Sequence, residues 1–370
     1  MNSSLDSIRS AIDAIKNGEI IIVVDDENRE NEGDFVMAAE KVTPEAINFM
    51  SKYGRGLICA PLTGTRCEQL GLSKMVNDNT DPMKTAFTVS VDLKGNGVTT
   101  GISASDRSKT IMALTQNETK PEDLTRPGHI FPLIAKEGGV LRRTGHTEAA
   151  IDMAKLAGLS PAGVIVEIMN EDGSMARFDD LLKVRDEFNL KMISIEDLVA
   201  YRMMNDSLIE RVFTKDIDTI YGKYLLTTYR QTTNDAIHVA LTRGVWKRGE
   251  SVLTRIQPYD SAMSFVSFLK GDQNKSLERI FKLAADADKV ALLFINKQSN
   301  ASDFQYHIQE LIGTRNDEEI RNMDDKDFGI GAQILHDLNL VSLRLMSNSS
   351  PIHRVGLSGY GLQIDEVQPY

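Results

Sequence analysis

The sequence predicts an α+β fold of mixed α/β character, arranged as two domains. Three observations point there. Short apolar runs of strand length, such as 20–24, 163–168 and 290–295, alternate with segments whose apolar residues recur at helical spacing. Several strand candidates follow one another directly, unlike a strict strand-helix alternation. Around 205–218 the texture becomes polar and weakly periodic, and a second pattern of strands and helices begins after it. The boundary is placed near residue 208, giving domains 1–207 and 208–370.

Each element has its own justification. Leu5, Ile8, Ile12 and Ile15 recur at helical spacing and Gly18 stops the helix, leading into the apolar strand 20–24. Thr43-Pro44-Glu45 reads as an N-cap, an N1 proline and a first-turn acid, for a helix to about Tyr53 with Gly54 as its terminal glycine. Residues 56–60 and the alternating 87–91 are strand candidates, and Ser105-Asp106-Arg107 opens a helix. The proline- and glycine-rich passage 125–132 reads as loop or edge. Thr147 caps a helix running to Gly158, then comes the strand 163–168 and a turn at 170–173. A helix starts at Ser194 and runs past Tyr201. In the second domain, strands are expected at 224–229, 238–241, 252–256 and 290–295, and helices near 277–285 and 330–338.

Composition excludes several classes of function. A formal net charge of -11 argues against a nucleic-acid backbone as partner, while local arginines and helix ends still allow an anionic small molecule. No apolar run reaches the roughly 18 residues that span a bilayer, so no membrane partner is expected. The first residues lack a secretory pattern, and the two cysteines, Cys59 and Cys67, match neither a zinc clip nor a disulfide framework. The expected compartment is the cytoplasm.

The densest chemical signal follows the first strand. From Asp25 to Asp34, ten residues carry six carboxylates and Arg29. Carboxylates this close repel one another unless a divalent cation or a cationic group neutralises them, although acidic runs are also common as solvated loops. Gly33 relieves the backbone of this loop. Further on, Arg142-Arg143-Thr144-Gly145-His146-Thr147 precedes a helix, where amide N–H groups, the Thr147 hydroxyl and a guanidinium together suit a phosphate. His146 there reads either as a metal ligand or as a cap or core histidine. His129 lies between Pro127-Gly128 and Pro132, a setting that equally fits a solvated surface histidine. Glu167 interrupts an apolar strand, and either faces solvent by alternation or serves a site as a tuned acid or base.

These motifs, taken in order, resemble 3,4-dihydroxy-2-butanone 4-phosphate synthase of riboflavin biosynthesis. The likeness spans roughly residues 4–204. It rests on the acidic segment 25–34, Arg126-Pro127-Gly128-His129, Gly145-His146-Thr147-Glu148-Ala149 and Val166-Glu167. The stretches 56–59, 99–107 and 170–173 add to it. The resemblance implies conversion of the sugar phosphate D-ribulose 5-phosphate to 3,4-dihydroxy-2-butanone 4-phosphate and formate, with Mg²⁺ (or Mn²⁺) required. It implies Glu30 and His146 as metal ligands and His129 and Glu167 as catalytic residues. Substrate contacts are implied for Arg29, Glu30, Asp34, Arg143, Thr144, Gly145, His146, Thr147 and Glu167. Cys59 falls at a near-site position but fits a buried structural thiol equally well. A homodimer with sites near its interface is also implied. Another metal-dependent sugar-phosphate aldolase or isomerase, and a non-catalytic pathway scaffold, are the competing readings.

Residues from about 209 onward resemble GTP cyclohydrolase II more faintly, through Tyr221-Gly222, 238–241, 327–335 and 359–362. That family holds zinc with three cysteines, and this chain has none after Cys67. Where the cysteine loop belongs the sequence reads 256–264, the arginine-rich GTP segment is absent around 294–298, and Lys326 replaces a usual arginine. The expectation is a GTP cyclohydrolase II-like domain without zinc or GTP hydrolysis, structural or regulatory in role; a bifunctional enzyme acting on GTP is the alternative.

Overall fold

A computed structural model describes residues 5–27, 29–259, 275–296, 328–348 and 360–370. The chain divides into two compact units, Met1–Met204 and Asn205–Tyr370, each with a seven-stranded mixed sheet. This is the mixed α/β architecture the sequence predicts.

In the first unit the strands are β1 (Ile21–Val24), β2 (Gly33–Ala38), β3 (Cys59–Thr63), β4 (Val91–Leu93), β5 (Leu124–Ala135), β6 (Gly163–Glu167) and β7 (Lys191–Ser194). Their spatial order is β4-β5-β3-β6-β2-β1-β7. β2 runs antiparallel to both β1 and β6, with Val23 opposite Asp34 and Asp34 opposite Glu167, while β1 pairs parallel with β7. Both faces of this sheet are covered, which is why β1 and β2 are buried along their whole length and read as continuous apolar runs. On one face Ile22, Val24, Phe35, Met37, Val164 and Val166 pack with residues of α2 (Pro44–Phe49), α4 (Ala104–Thr115) and α6 (Phe178–Phe188). The other face carries α5 (His146–Leu156), with α1 (Ile8–Asn17) packed beside it. The short α3 (Gly64–Gln69) follows β3, and α7 (Ile195–Asn205) closes the unit, with the Ser194 hydroxyl accepting from the Asp197 amide.

Several expectations are corrected here. Residues 125–132 form part of β5 rather than a loop. Pro127 and Gly128 sit where the β4–β5 register slips between Val91 and Asp92, the kind of bulge where proline's missing donor costs no ladder bond. Gly128 is required there, because a Cβ would collide with the Val91 backbone. Gly33, expected to relieve the loop backbone, is the first residue of β2. The cap of α4 is Ser103, whose hydroxyl accepts from the Asp106 amide. The cap of α5 is Gly145, so Thr147 lies inside the helix and its hydroxyl is no N-cap. After α2 the chain widens into a π-helical turn over Met50–Gly54, and Arg55 takes the left-handed position expected of Gly54.

The second unit orders its strands β14-β13-β11-β12-β10-β9-β8. They are β8 (Ile209–Thr219), β9 (Gly222–Gln231), β10 (Ile237–Arg243), β11 (Ser251–Tyr259), β12 (Val290–Asn296), β13 (Ser342–Met346) and β14 (Gln363–Gln368), with α8 (Lys275–Ala285) and α9 (Phe328–Asp337). β8 occupies the stretch expected to be irregular. It is an edge strand with mostly exposed residues, so no apolar alternation marks it. The core gathers Tyr224, Leu253, Ile280, Val290 and Leu292. Among the described residues no helix is long and apolar enough to cross a membrane.

Candidate active site

The acidic segment is the loop joining β1 to β2, so both of its ends are fixed in the middle of the sheet. Asp25 organises it. One of its oxygens accepts the Glu32 amide at 2.9 Å; the other accepts the Glu30 amide at 3.1 Å and Arg29 Nη1 at 2.8 Å. A carboxylate that gathers backbone donors across a turn is how an Asp holds a tight loop. Arg29 Nη1 also donates to Glu30 Oε2 at 2.6 Å. The guanidinium therefore neutralises two carboxylates at once. Burial works against its charge, but Glu30 and Asp25 outweigh burial and raise its pKa.

His146, the first residue of α5, comes down onto this loop from the covered face of the sheet. Its Nε2 lies 3.1 Å from the Val23 carbonyl oxygen. A carbonyl only accepts, so Nε2 carries a proton and Nδ1 points the other way, 3.7 Å from Glu30 Oε2 and 3.9 Å from Asp34 Oδ1. Burial by itself would lower the imidazole pKa, but the Asp34 charge, the nearby Glu30 carboxylate and the Asp25 charge raise it to about 9. For Glu30, burial is likewise overridden by His146 and Arg29, which hold its carboxyl down at about 2. Asp34 is pushed the other way. Burial raises it to about 7, despite His146 and with the help of the Glu167 and Glu30 charges. With no other cation present, the Nδ1 proton thus occupies the space between two carboxylates.

That arrangement fits a divalent cation. Among the described residues, Asp25, Glu30 and His146 form the group whose ligand atoms all lie within 4.8 Å of one another. Two ligands about 2.1 Å from one Mg²⁺ can stand up to about 4.2 Å apart, so Glu30 Oε2 and His146 Nδ1 are within reach of a shared ion. The backbone carbonyl on the far nitrogen is the usual outer support of a metal-bound histidine, fixing its tautomer and ring. Asp25 spends both oxygens on the loop backbone, whereas Glu30 takes only Arg29 and lies nearest His146 Nδ1, so Glu30 and His146 are the pair that could hold an ion.

The remaining candidates distribute around this centre. Asp34 and Glu167 are cross-strand neighbours, so both side chains leave the sheet on the same face. Glu167 Oε2 accepts the Leu57 amide at 2.8 Å. Gly145, as cap, has no side chain to occupy the first-turn amides of α5, which is the end of a helix that favours an anion. Thr144 belongs to the same turn, and Thr147 is buried one residue into the helix. Arg143 stands at this end with Nη1 on Glu148 Oε2 at 2.7 Å. Cys59 is a buried thiol, with burial pushing its pKa up, and it behaves as core.

His129 stands apart. β5 is three strands from β2, roughly 14 Å at ordinary strand spacing. Its partner is Asp92, which accepts His129 Nδ1 at 2.7 Å and the His129 amide at 2.9 Å. Held that way, the ring keeps Nε2 as its open nitrogen, toward the exposed side. Asp25, Asp92 and Glu148 are carboxylates that hold these groups and that the sequence reading did not single out. Only Asp25 had a local signal, an acceptor immediately after a strand; the others find their partners through the fold.

In the second unit His238 is fully buried, with Nδ1 accepting the Asn296 amide at 3.0 Å and Nε2 donating to Gln231 Oε1 at 3.1 Å. Both nitrogens serve the fold. The expected positions of the cysteine loop at 260–264, of 297–298, of Lys326 and Asp327, and of Gly359 lie outside the described residues.

The family description 3,4-dihydroxy-2-butanone 4-phosphate synthase matches residues 9–201, and GTP cyclohydrolase II matches residues 210–369. A riboflavin biosynthesis protein RibBA of Cytophaga hutchinsonii is 50% identical over 99% of this chain and 92% of its own. The crystal structure of RibBX, a two-domain 3,4-dihydroxy-2-butanone 4-phosphate synthase from A. baumannii, is 37% identical with a TM-score of 0.64, covering 98% of this chain and 99% of its own. A 3,4-dihydroxy-2-butanone 4-phosphate synthase in complex with two magnesium ions is 43% identical over 54% of this chain and 98% of its own, with a TM-score of 0.52.

Proposed function

Over its N-terminal unit the chain belongs to the 3,4-dihydroxy-2-butanone 4-phosphate synthase family and is a lyase, and from that premise we propose the rest of its chemistry. It converts D-ribulose 5-phosphate to 3,4-dihydroxy-2-butanone 4-phosphate and formate, with Mg²⁺ (or Mn²⁺) held by Glu30 and His146. The observation that carries this reading is the presentation of His146 Nδ1 to the Glu30 carboxylate, with Nε2 fixed on the Val23 carbonyl.

When bound, the ion supplies a Lewis acid for the substrate carbonyl. The protein supplies the rest. Arg143, Thr144 and the first-turn amides around Gly145 and Thr147 hold the phosphate, fixing the register of the carbon chain. Arg29 and Asp34 contact the sugar from the loop side. Asp34, poised near 7, exchanges protons readily at neutral pH, and Glu167 faces it as the second carboxylate. His129, oriented by Asp92, is a base or acid for which a homodimer would provide a neighbouring site.

The names of the RibBA relatives and the GTP cyclohydrolase II match favour a second reading, in which the C-terminal unit also acts on GTP. Against it, the chain carries no cysteine after Cys67 and so cannot build a three-thiolate zinc site. We therefore assign this unit a structural or regulatory role. One experiment addresses both readings. Incubation with ribulose 5-phosphate is expected to give formate by proton NMR, abolished by EDTA and restored by Mg²⁺. Incubation with GTP and Zn²⁺ is expected to give none, and formate from GTP would reverse the second assignment.

A further inference from the structure

We propose that Glu148 is a positioning residue of the site, fixing the Arg143 guanidinium for the substrate phosphate. The proposal rests on the reading of Arg143 as a phosphate contact. Glu148 is 1% exposed, a placement a carboxylate takes only with its oxygens satisfied. Its position in the first turn of α5 suggests a helix-capping acid, yet its oxygens do something else. Oε1 accepts the Lys136 amide at 2.9 Å and Oε2 accepts Arg143 Nη1 at 2.7 Å. Arg143 Nη2 donates to the Met83 carbonyl at 3.1 Å. The guanidinium is thus held from two sides, by a rigid helix and by a backbone carbonyl, with its remaining N–H groups set by that geometry. Gly145 completes the arrangement. A Cβ there would stand 2.5 Å from Arg143 Nη1 and 3.0 Å from Glu148 Oε2, so the guanidinium folds over the space glycine leaves.

Two effects of Glu148 oppose each other. As a negative charge beside the phosphate site it repels the substrate, so Coulomb's law alone makes Glu148→Gln tighten anion binding. As an anchor it removes the freedom of a long side chain before the phosphate arrives, so the same change weakens binding. Burial and two short bonds make the anchoring effect the larger. Glu148→Gln keeps the size and can still accept the Lys136 amide, but it loses the charge-assisted bond to Arg143.

The test measures inorganic phosphate as an inhibitor of formate release, with KM and kcat for ribulose 5-phosphate, in the full chain. Glu148→Gln is expected to raise the phosphate inhibition constant and KM about tenfold with a smaller change in kcat. Arg143→Gln should do the same, and the double variant should be no worse than Arg143→Gln alone. If Arg143→Gln weakens phosphate but Glu148→Gln leaves it unchanged or tightens it, or if the two effects multiply, the positioning role is overturned while the phosphate site stands. If Arg143→Gln has no effect on phosphate, the underlying assignment of Arg143 fails and this role with it. Should Glu148→Gln not fold, Gly145→Ala displaces the guanidinium with both charges in place; it is expected to raise the same constant, and an unchanged constant overturns the role.

Discussion

The two units have the same kind of sheet but bury different chemistry beneath it. The first buries Asp25, Asp34, Asp92, Asp106, Glu148 and Asp152 together with His146. Among the described residues, the buried polar groups of the second are Thr227, Thr228, Gln231, His238, Thr242, Thr254, Gln333, Ser342 and Ser347, with no carboxylate. Carboxylates taken from water are costly unless each finds a cation or several donors, whereas hydroxyls, amides and a neutral imidazole satisfy one another cheaply. A fold therefore keeps buried carboxylates where they perform a task. In the first unit Asp25 and Asp34 belong to the cluster around His146 and Glu148 holds Arg143 close by, while Asp92 orients His129 and Asp106 and Asp152 hold a turn and an arginine elsewhere. In the second the equivalent interior is spent on packing.

Breaking that contrast is the most direct way to probe it. His146→Gln should lower formate production from ribulose 5-phosphate by at least about a hundredfold, since it removes a cation ligand. His238→Gln, the substitution of the buried histidine in the second unit, should change it less than about twofold. Similar losses from both, in folded proteins, would erase the distinction. Glu167→Gln is expected to lower kcat about a hundredfold through loss of a proton-transferring carboxylate, and near-normal turnover would remove Glu167 from that role. Asp92→Asn should lower kcat by about tenfold with little change in KM, because it frees the His129 ring without touching the phosphate site. A KM effect alone would place the Asp92–His129 pair elsewhere.

The pH dependence sharpens the account further. His146 is held protonated up to about 9 when no other cation occupies the cluster, so a divalent ion must displace a proton from Nδ1. The sign follows directly. Below about 9 the proton competes, and Mg²⁺ affinity should rise with pH by up to about tenfold per unit, levelling above 9. Calorimetry in buffers of different ionisation enthalpy should report proton release near neutral pH. Affinity flat across that range would show that His146 is not a ligand. The smallest expected effect lies in the second unit, where the Tyr229 hydroxyl donates to Asp337 at 2.6 Å. Tyr229→Phe should cost about 1–2 kcal/mol in unfolding experiments and leave formate production unchanged.

How much of this was legible in the sequence depended on whether the signal was local. The β1 strand, the acidic loop after it and the helix beginning at His146 are written in consecutive residues, and the site candidates on them were found. The turn proposed for the phosphate was legible as a helix start, although the capping rule for Thr147 misled, since Gly145 takes the cap and thereby opens the helix end. β5 was hidden by Pro127 and Gly128, which a strand tolerates only because its register slips there. β8 was hidden by its polarity, as an edge strand needs no apolar face. The pairings of Asp92 with His129 and of Glu148 with Lys136 and Arg143 were invisible, because nothing in the intervening residues announces that those backbones meet.

Coordination by Glu30 and His146 together is the centre of the account, and electron spin-echo spectroscopy of the Mn²⁺-loaded protein reads it directly. The account predicts modulation from a single imidazole nitrogen in the parent protein, lost in His146→Gln, with Mn²⁺ affinity reduced in Glu30→Gln. Modulation that persists in His146→Gln, or Mn²⁺ bound with unchanged affinity after both substitutions, would contradict it.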